Sequence, residues 1–297
     1  MGGPRGGLVV GVLATLLGAC AGPVSDGVMT TSAPNGAREQ IPVAIDKPTG
    51  PGPFPAVVIL HDCSGLGPRS SGAPARWARE LGAQGYVSLI PDSFTTRGHP
   101  DGVCTDASPS RGEVAPSRRV RDAYAALAHA RALPYVDGRR VGLMGGSHGG
   151  STTLAAMAAP EHTWDLLARE KRAGFGAAVA LYPGCGTTLG TWRADGTGTY
   201  RAAAPVLILI GEKDDWTPAA PCLKLAASTQ STEHPVTITV YPGAHHSFDS
   251  DRPVRFVAAR VNSDARSGRG ATTGGDATAW ADSIRRVTAF FEAHLKP

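Results

Sequence analysis

Six runs of continuous, β-branched-rich apolar sequence recur along the chain: FPAVVILH (54–61), GYVSLIP (85–91), RRVGLMGG (139–146), FGAAVALYP (175–183), APVLILIG (204–211) and VTITVYPG (236–243). Such runs suit strands buried on both faces of a parallel sheet. Helical patterns lie between them. PARWARELGAQG (74–85) sets Trp77 and Leu81 four apart and closes on Gly85, the usual glycine after a helix end. SRRVRDAYAALAHARAL (117–133) carries Val120, Tyr124 and Leu127 on one stripe, and Pro134 follows. STTLAAMAA (151–159) and ATAWADSIRRVTAFFEAHL (277–295) complete the set. The alternation predicts an α/β fold over residues 39–297, a single domain whose doubly wound, mostly parallel sheet has about eight strands flanked by helices. EQIPVAIDKP (39–48) is expected as an antiparallel edge strand, and VNSDARSGRGATTGGDA (261–277) as a flexible loop. There is no internal repeat.

Residues 1–20 stand apart. Arg5 precedes the apolar LVVGVLATLL, which is too short to span a bilayer and has the layout of an export signal. LGAC, ending at Cys20, resembles the lipobox of bacterial lipoproteins, in which that cysteine is lipidated; ACA also fits an ordinary cleavage site. Residues 21–38, rich in Gly, Ser, Thr and Pro, read as a flexible tether. The expected location is therefore exported, membrane-anchored through lipid and facing the periplasm or the cell exterior. The net charge of +4 is mild, and no basic stripe with interleaved aromatics points to nucleic acid.

Four cysteines remain after Cys20, an even count that suggests two disulfides in an exported chain. Cys63 follows the first long strand run and Cys104 lies in the loop after the next. Cys185 follows VALYP, and Cys222 begins the helix after DDWTP. Strand adjacency favours Cys63–Cys104 and Cys185–Cys222. The absence of any C-x-x-C pair argues against zinc, and neither metal nor cofactor is expected.

VGLMGGSHGG (141–150) encloses Ser147 in glycines between a strand and a helix. That is a nucleophile-elbow arrangement: a sharp turn lifts the serine above the sheet, and Gly145 and Gly149 leave room for the adjacent chain. The helix behind it points its positive end at the site. A base and an orienting acid should follow in the order Ser, acid, His. LILIGEKDDWTP (207–218) supplies carboxylates at a strand end, and TVYPGAHHSFD (239–249) supplies histidines just past the last strand.

From about residue 39 to the C-terminus, the segments ILHDCSG, GYVSLIPDSF, GLMGGSHGG, LIGEKDDWTP and YPGAHHSF resemble the dienelactone hydrolase family of α/β hydrolases. The resemblance implies the α/β-hydrolase fold and selects Asp214, in G-x-x-D-x-x-x-P, and His246, in Y-P-G-A-x-H-x-F, over Asp215 and His245. It also implies an oxyanion hole built from the N–H groups of Cys63 and His148. Asp62 and Arg97 are candidate substrate-binding residues, Arg97 for a substrate carboxylate; a solvated loop carboxylate and an ion-paired loop arginine are the alternatives. The family's namesakes use cysteine where Ser147 stands, so lactone as substrate is less firmly implied than ester. The expected activity is hydrolysis of a small-molecule carboxylic ester or lactone through an acyl-enzyme. The alternatives are a serine peptidase of the prolyl oligopeptidase-like group and a non-catalytic ligand-binding lipoprotein. Loops 92–117 and 184–203 are expected to shape the pocket.

Overall fold

A computed structural model of the chain describes residues 1–2, 27–33, 35–158, 174–193 and 195–296. The expected signal segment, Cys20 and residues 21–26 lie outside the described residues. Among those described, no helix is long and apolar enough to cross a membrane.

The central sheet has eight strands: β1 (Gly27–Ser32), β2 (Arg38–Asp46), β3 (Phe54–Leu60), β4 (Val87–Pro91), β5 (Val136–Gly146), β6 (Ala178–Leu181), β7 (Val206–Gly211) and β8 (Thr237–Tyr241). Their spatial order is β1-β2-β4-β3-β5-β6-β7-β8. The strands from β4 across to β8 run parallel, while β1 and β2 pair antiparallel. Continuous apolar sequence does what the pattern requires: from Ala56 to Leu60, no residue of β3 is more than 2% exposed.

Among the described residues the α-helices are α1 (Ala73–Ala83), α2 (Pro116–Ala132), α3 (His148–Met157), α4 (Ala219–Ser228) and α5 (Ala277–Leu295). Parity along β5 sorts them into layers, because alternate residues of a strand face opposite sides. A side chain on Gly142 would strike Phe291 and Leu295 of α5, whereas one on Gly145 would strike Gly149 of α3. α1 joins α5 through an edge-to-face contact of Trp77 and Trp280 at 4.7 Å. α1 ends as the sequence foretells, with Gly85 at φ 80°.

Four expectations need correction. Part of the presumed tether, Gly27–Ser32, is ordered as β1 against β2. β2 is consequently an inner strand, and β1 takes the edge. The presumed loop 261–277 contains the return arm of a hairpin, in which β9 (Arg255–Val261) pairs with β10 (Arg269–Thr273) as a separate two-stranded sheet. The apolar run at 236–243 also forms an edge, since β8 is only half-buried.

Both expected disulfides are present. Cys63–Cys104 has its Cα atoms 4.9 Å apart, and Cys185–Cys222 has them 5.0 Å apart. Such bonds belong to chains that mature in an oxidising compartment, outside the cytosol.

Candidate active site

Ser147 stands between the end of β5 and the start of α3 with φ 53° and ψ −115°, a strained backbone for any residue with a side chain. Its neighbours permit the turn because they are bare. A Cβ on Gly145 would lie 2.4 Å from Gly149 O, and a Cβ on Gly149 would lie 2.2 Å from Leu60 O. The Ser147 N–H is anchored to Leu181 O at 2.9 Å, which fixes the turn to β6.

The loops after β7 and β8 bring two further groups to this point. His246 Nε2 lies 2.9 Å from Ser147 Oγ, and His246 Nδ1 lies 2.8 Å from Asp214 Oδ2. Asp214 is held in turn: its Oδ1 accepts from the N–H groups of Trp216, at 3.0 Å, and Thr217, at 2.8 Å. Thr217 Oγ1 is 3.0 Å from both Asp214 Oδ2 and His246 Nδ1. The imidazole is closed in by Tyr182 and Trp216, each with its ring centroid 4.8 Å away. All three members of the Ser-His-Asp line are buried.

The rival residues point elsewhere. Asp215 is exposed and accepts from Thr272 N (2.7 Å) and Thr272 Oγ1 (2.8 Å), tying down the hairpin. His245 Nδ1 lies 3.0 Å from Lys213 O, on the surface side of its loop.

Cys63 and His148 flank Ser147 on the wall of a shared cavity of about 510 Å³. The His148 N–H is among the first of α3 and has no helical carbonyl to bond. The Cys63–Cys104 bridge and a hydrogen bond from Val103 N to Cys63 O (2.7 Å) hold the loop after β3. The same cavity is lined by Ser108, Arg111, Gly184 and Thr187, from the two loops expected to shape it, and also by Val261 of the hairpin.

On the other side of Ser147 lies a narrow polar compartment of about 60 Å³. Asp62 lines it, but not as a solvated carboxylate: it is buried, and it accepts from Ser64 N at 2.7 Å and from the hydroxyls of Ser64 and Ser71. Arg252, Arg255 and Arg260 line it too, without an ion-pair partner among the described residues, and Arg260 stacks on Trp216 at 5.0 Å.

Arg97 is not there. Its guanidinium grips both oxygens of Asp122 (2.6 and 2.8 Å) and Glu39 Oε2 (2.6 Å), and its side chain is 5% exposed. The Arg97 cation holds the Glu39 carboxyl below its usual range despite the opposing effect of burial. A guanidinium engaged on both faces of its fork has nothing left for a substrate carboxylate.

Sequence reasoning missed Thr217, Trp216, Tyr182 and the arginines of the hairpin. Trp216 and Thr217 fall inside the window that selects Asp214, so proximity in sequence was available as a signal. The hairpin arginines had none, because nothing local aims residues 252–260 at residue 147.

The family profile of dienelactone hydrolases matches residues 41–295. No curated protein sequence matches the chain. A protein described as a dienelactone hydrolase from Klebsiella pneumoniae subsp. pneumoniae superimposes with a TM-score of 0.60 at 22% identity, over 89% of this chain and 97% of that one. Thermogutta terrifontis esterase 2, phosphoramylated by tabun, gives 0.61 at 16% identity over 93% and 98%. Porphyromonas gingivalis dipeptidyl peptidase 4 gives 0.56 at 18% identity, over 91% of this chain but 35% of that larger one. At these identities the structures speak for the fold, while the profile spans most of the sequence. On that ground the chain belongs to the dienelactone hydrolase family.

Proposed function

We propose that the protein is a serine hydrolase that cleaves carboxylic esters or lactones through an acyl-enzyme. The observation that carries this reading is the unbroken line of hydrogen bonds from Ser147 Oγ through the His246 imidazole to Asp214. Membership of a hydrolase family supports it. Ser147 Oγ attacks the carbonyl carbon as its proton passes to His246 Nε2, which is within reach without movement. Asp214 accepts from Nδ1–H, which fixes the tautomer and stabilises the imidazolium that forms. The N–H groups of Cys63 and His148 receive the developing oxyanion. The imidazolium then protonates the departing alkoxide. A water molecule repeats the sequence with His246 as base, releasing the carboxylic acid and restoring Ser147.

The two compartments divide the substrate. The cavity of about 510 Å³ takes the bulkier part, and the narrow side, where Arg252, Arg255 and Arg260 have no ion-pair partner among the described residues, takes a compact anionic group. This transfers to Arg252, Arg255 and Arg260 the role the sequence suggested for Arg97. LGAC supports lipid attachment at Cys20. Because β1 begins at Gly27, residues 21–26 would then hold the domain within roughly 20 Å of the membrane.

A fluorophosphonate probe should label the wild type at Ser147, with p-nitrophenyl ester turnover lost in step, and Ser147→Ala should neither label nor turn over. A Ser147→Ala protein that still hydrolyses the ester rejects the reading. A panel of short-chain, lactone and aryl esters, alongside Xaa-Pro anilides, separates esterase from peptidase.

A further inference from the structure

Arg119 is sealed inside the molecule directly behind the nucleophile turn. It lies in the first turn of α2 and is 0% exposed. Its Nη1 donates to His61 O at 3.0 Å and to His148 Nδ1 at 2.8 Å. The guanidinium lies 5.0 Å from the centre of the Phe94 ring. Phe94 also packs edge-on against both imidazoles, His61 at 4.4 Å and His148 at 5.5 Å. Nε and Nη2 have no hydrogen-bond partner among the described residues.

These contacts dictate the protonation of both histidines. Arginine offers only donors, so His148 Nδ1 accepts and the ring proton sits on Nε2. His61 has its own consistent pair: Nδ1–H donates to Asp62 O at 2.8 Å, and Nε2 accepts from Ser93 N at 3.2 Å. Burial, seconded by the Arg119 charge, holds both imidazoles well below the usual histidine range, so they are neutral. Burial also pulls Arg119 down to about 10, which leaves it charged at neutral pH.

Packing alone does not account for this residue. A cation in the core with two nitrogens unpaired is a stability cost that an apolar side chain of similar length would avoid. What the cation touches explains it better. His61 O lies two residues before Cys63, and His148 is the residue after Ser147. One nitrogen therefore spans the two chain segments that carry the amide donors. Building on the acyl-transfer reading above, we propose that Arg119 is a positioning residue for the oxyanion hole: it sets the separation of the Cys63 and His148 segments and backs them with a fixed positive charge. A guanidinium suits the task because it does not titrate away in the working range, and the dry surroundings strengthen its field.

The test is Arg119→Met, assayed with a p-nitrophenyl ester and with a trifluoromethyl ketone that adds reversibly to the serine. We expect kcat to fall about 10²-fold, comparable to losing one oxyanion donor. KM should move less than about threefold, as for an interaction made only in the transition state. Ketone affinity should fall in parallel with kcat, and Tm should be unchanged or raised. A purely structural arginine predicts the reverse, a lowered Tm with kcat intact; that result, or a loss confined to KM, overturns the proposal. Should Arg119→Met fail to fold, His148→Leu and His148→Asn decide. Asn can place Oδ1 where Nδ1 stood, so it should recover most of the kcat lost in His148→Leu, and equal kcat for the two overturns the proposal. Failure of the parent reading is a separate result, seen as an unlabelled Ser147 in the wild-type protein.

Discussion

The floor and the roof of the site are built differently. The floor rests on the C-terminal ends of β3, β5, β7 and β8, where Leu60, Ser147, Asp214 and His246 are all less than 9% exposed. Apolar burial in the parallel sheet holds it. The roof is the β9–β10 hairpin, which leaves Phe256 65% and Val254 46% exposed and has little core of its own. A few polar bonds attach it: Thr272 to Asp215, Trp216 Nε1 to Val261 O (2.8 Å), and Asn262 Nδ2 to Asp215 O (2.9 Å). Asp214 and Asp215 are adjacent in the chain, yet one serves the floor and the other the roof. The difference teaches that the Ser-His-Asp line rests on apolar burial, while the cover that shapes the cavity above it is held by polar bonds.

The sharpest way to break this division is to exchange its two acids. Asp214→Asn should lower ester turnover by about 10³–10⁴-fold, because the imidazole loses its tautomer and its charge partner. Asp215→Ala should cost no more than about tenfold, seen mainly in KM and in faster proteolysis of the hairpin, since two bonds to an exposed carboxylate are worth little. Equal losses would dissolve the distinction.

The two disulfides give the next largest contrast. They close loops of 41 and 37 residues, so removing either should destabilise the fold similarly, by about 4 kcal/mol on loop entropy. Only Cys63 carries a proposed oxyanion donor. Cys63→Ala with Cys104→Ala should therefore lose up to about 10²-fold in kcat, while Cys185→Ala with Cys222→Ala keeps most of it. Turnover at a temperature where both variants remain folded makes the comparison.

The smallest effect is a pH dependence inside the floor. Asp249 is buried, with Tyr182 Oη and Trp77 Nε1 each donating to it at 2.8 Å, and burial raises its pKa above the ordinary aspartate value. A carboxyl raised in the folded state favours folding below its unfolded pKa and loses that contribution as pH rises through the folded value. The stability of Asp249→Asn relative to wild type should therefore increase between pH 4 and pH 7 in urea melts. A difference that shrinks over that range contradicts the assignment.

The same division governs what could be read from the sequence. The floor was legible because its rules are local. A continuous apolar run is a buried strand, and glycines around Ser147 leave room for a tight turn. The order of serine, acid and histidine then places the remaining groups at strand ends. Strand adjacency was enough to pair the cysteines. The roof was not legible. Residues 255–261 expose most of their side chains, so they carry no hydrophobic period, and glycines at 268, 270, 274 and 275 read as loop. Their order comes from Asp215 and Trp216, about 45 residues or more earlier in the chain. For Arg97 the ion-paired alternative holds, and the sequence could not choose it because its partners Glu39 and Asp122 are distant in the chain.

The fastening of the hairpin has a kinetic consequence. Gly274 N donates to His246 O at 3.0 Å, and Val261 N donates to Cys104 O at 3.0 Å. The roof is thus stitched to the loop that bears His246 and to the disulfide beside Ser147, and it cannot swing away without disturbing both. A roof fastened in this way is not a free lid for an oil–water interface to open. The velocity of hydrolysis should follow a simple hyperbola as a soluble ester is raised through its solubility limit, with no jump where droplets form, and this separates the protein in behaviour from lipases that awaken at a surface.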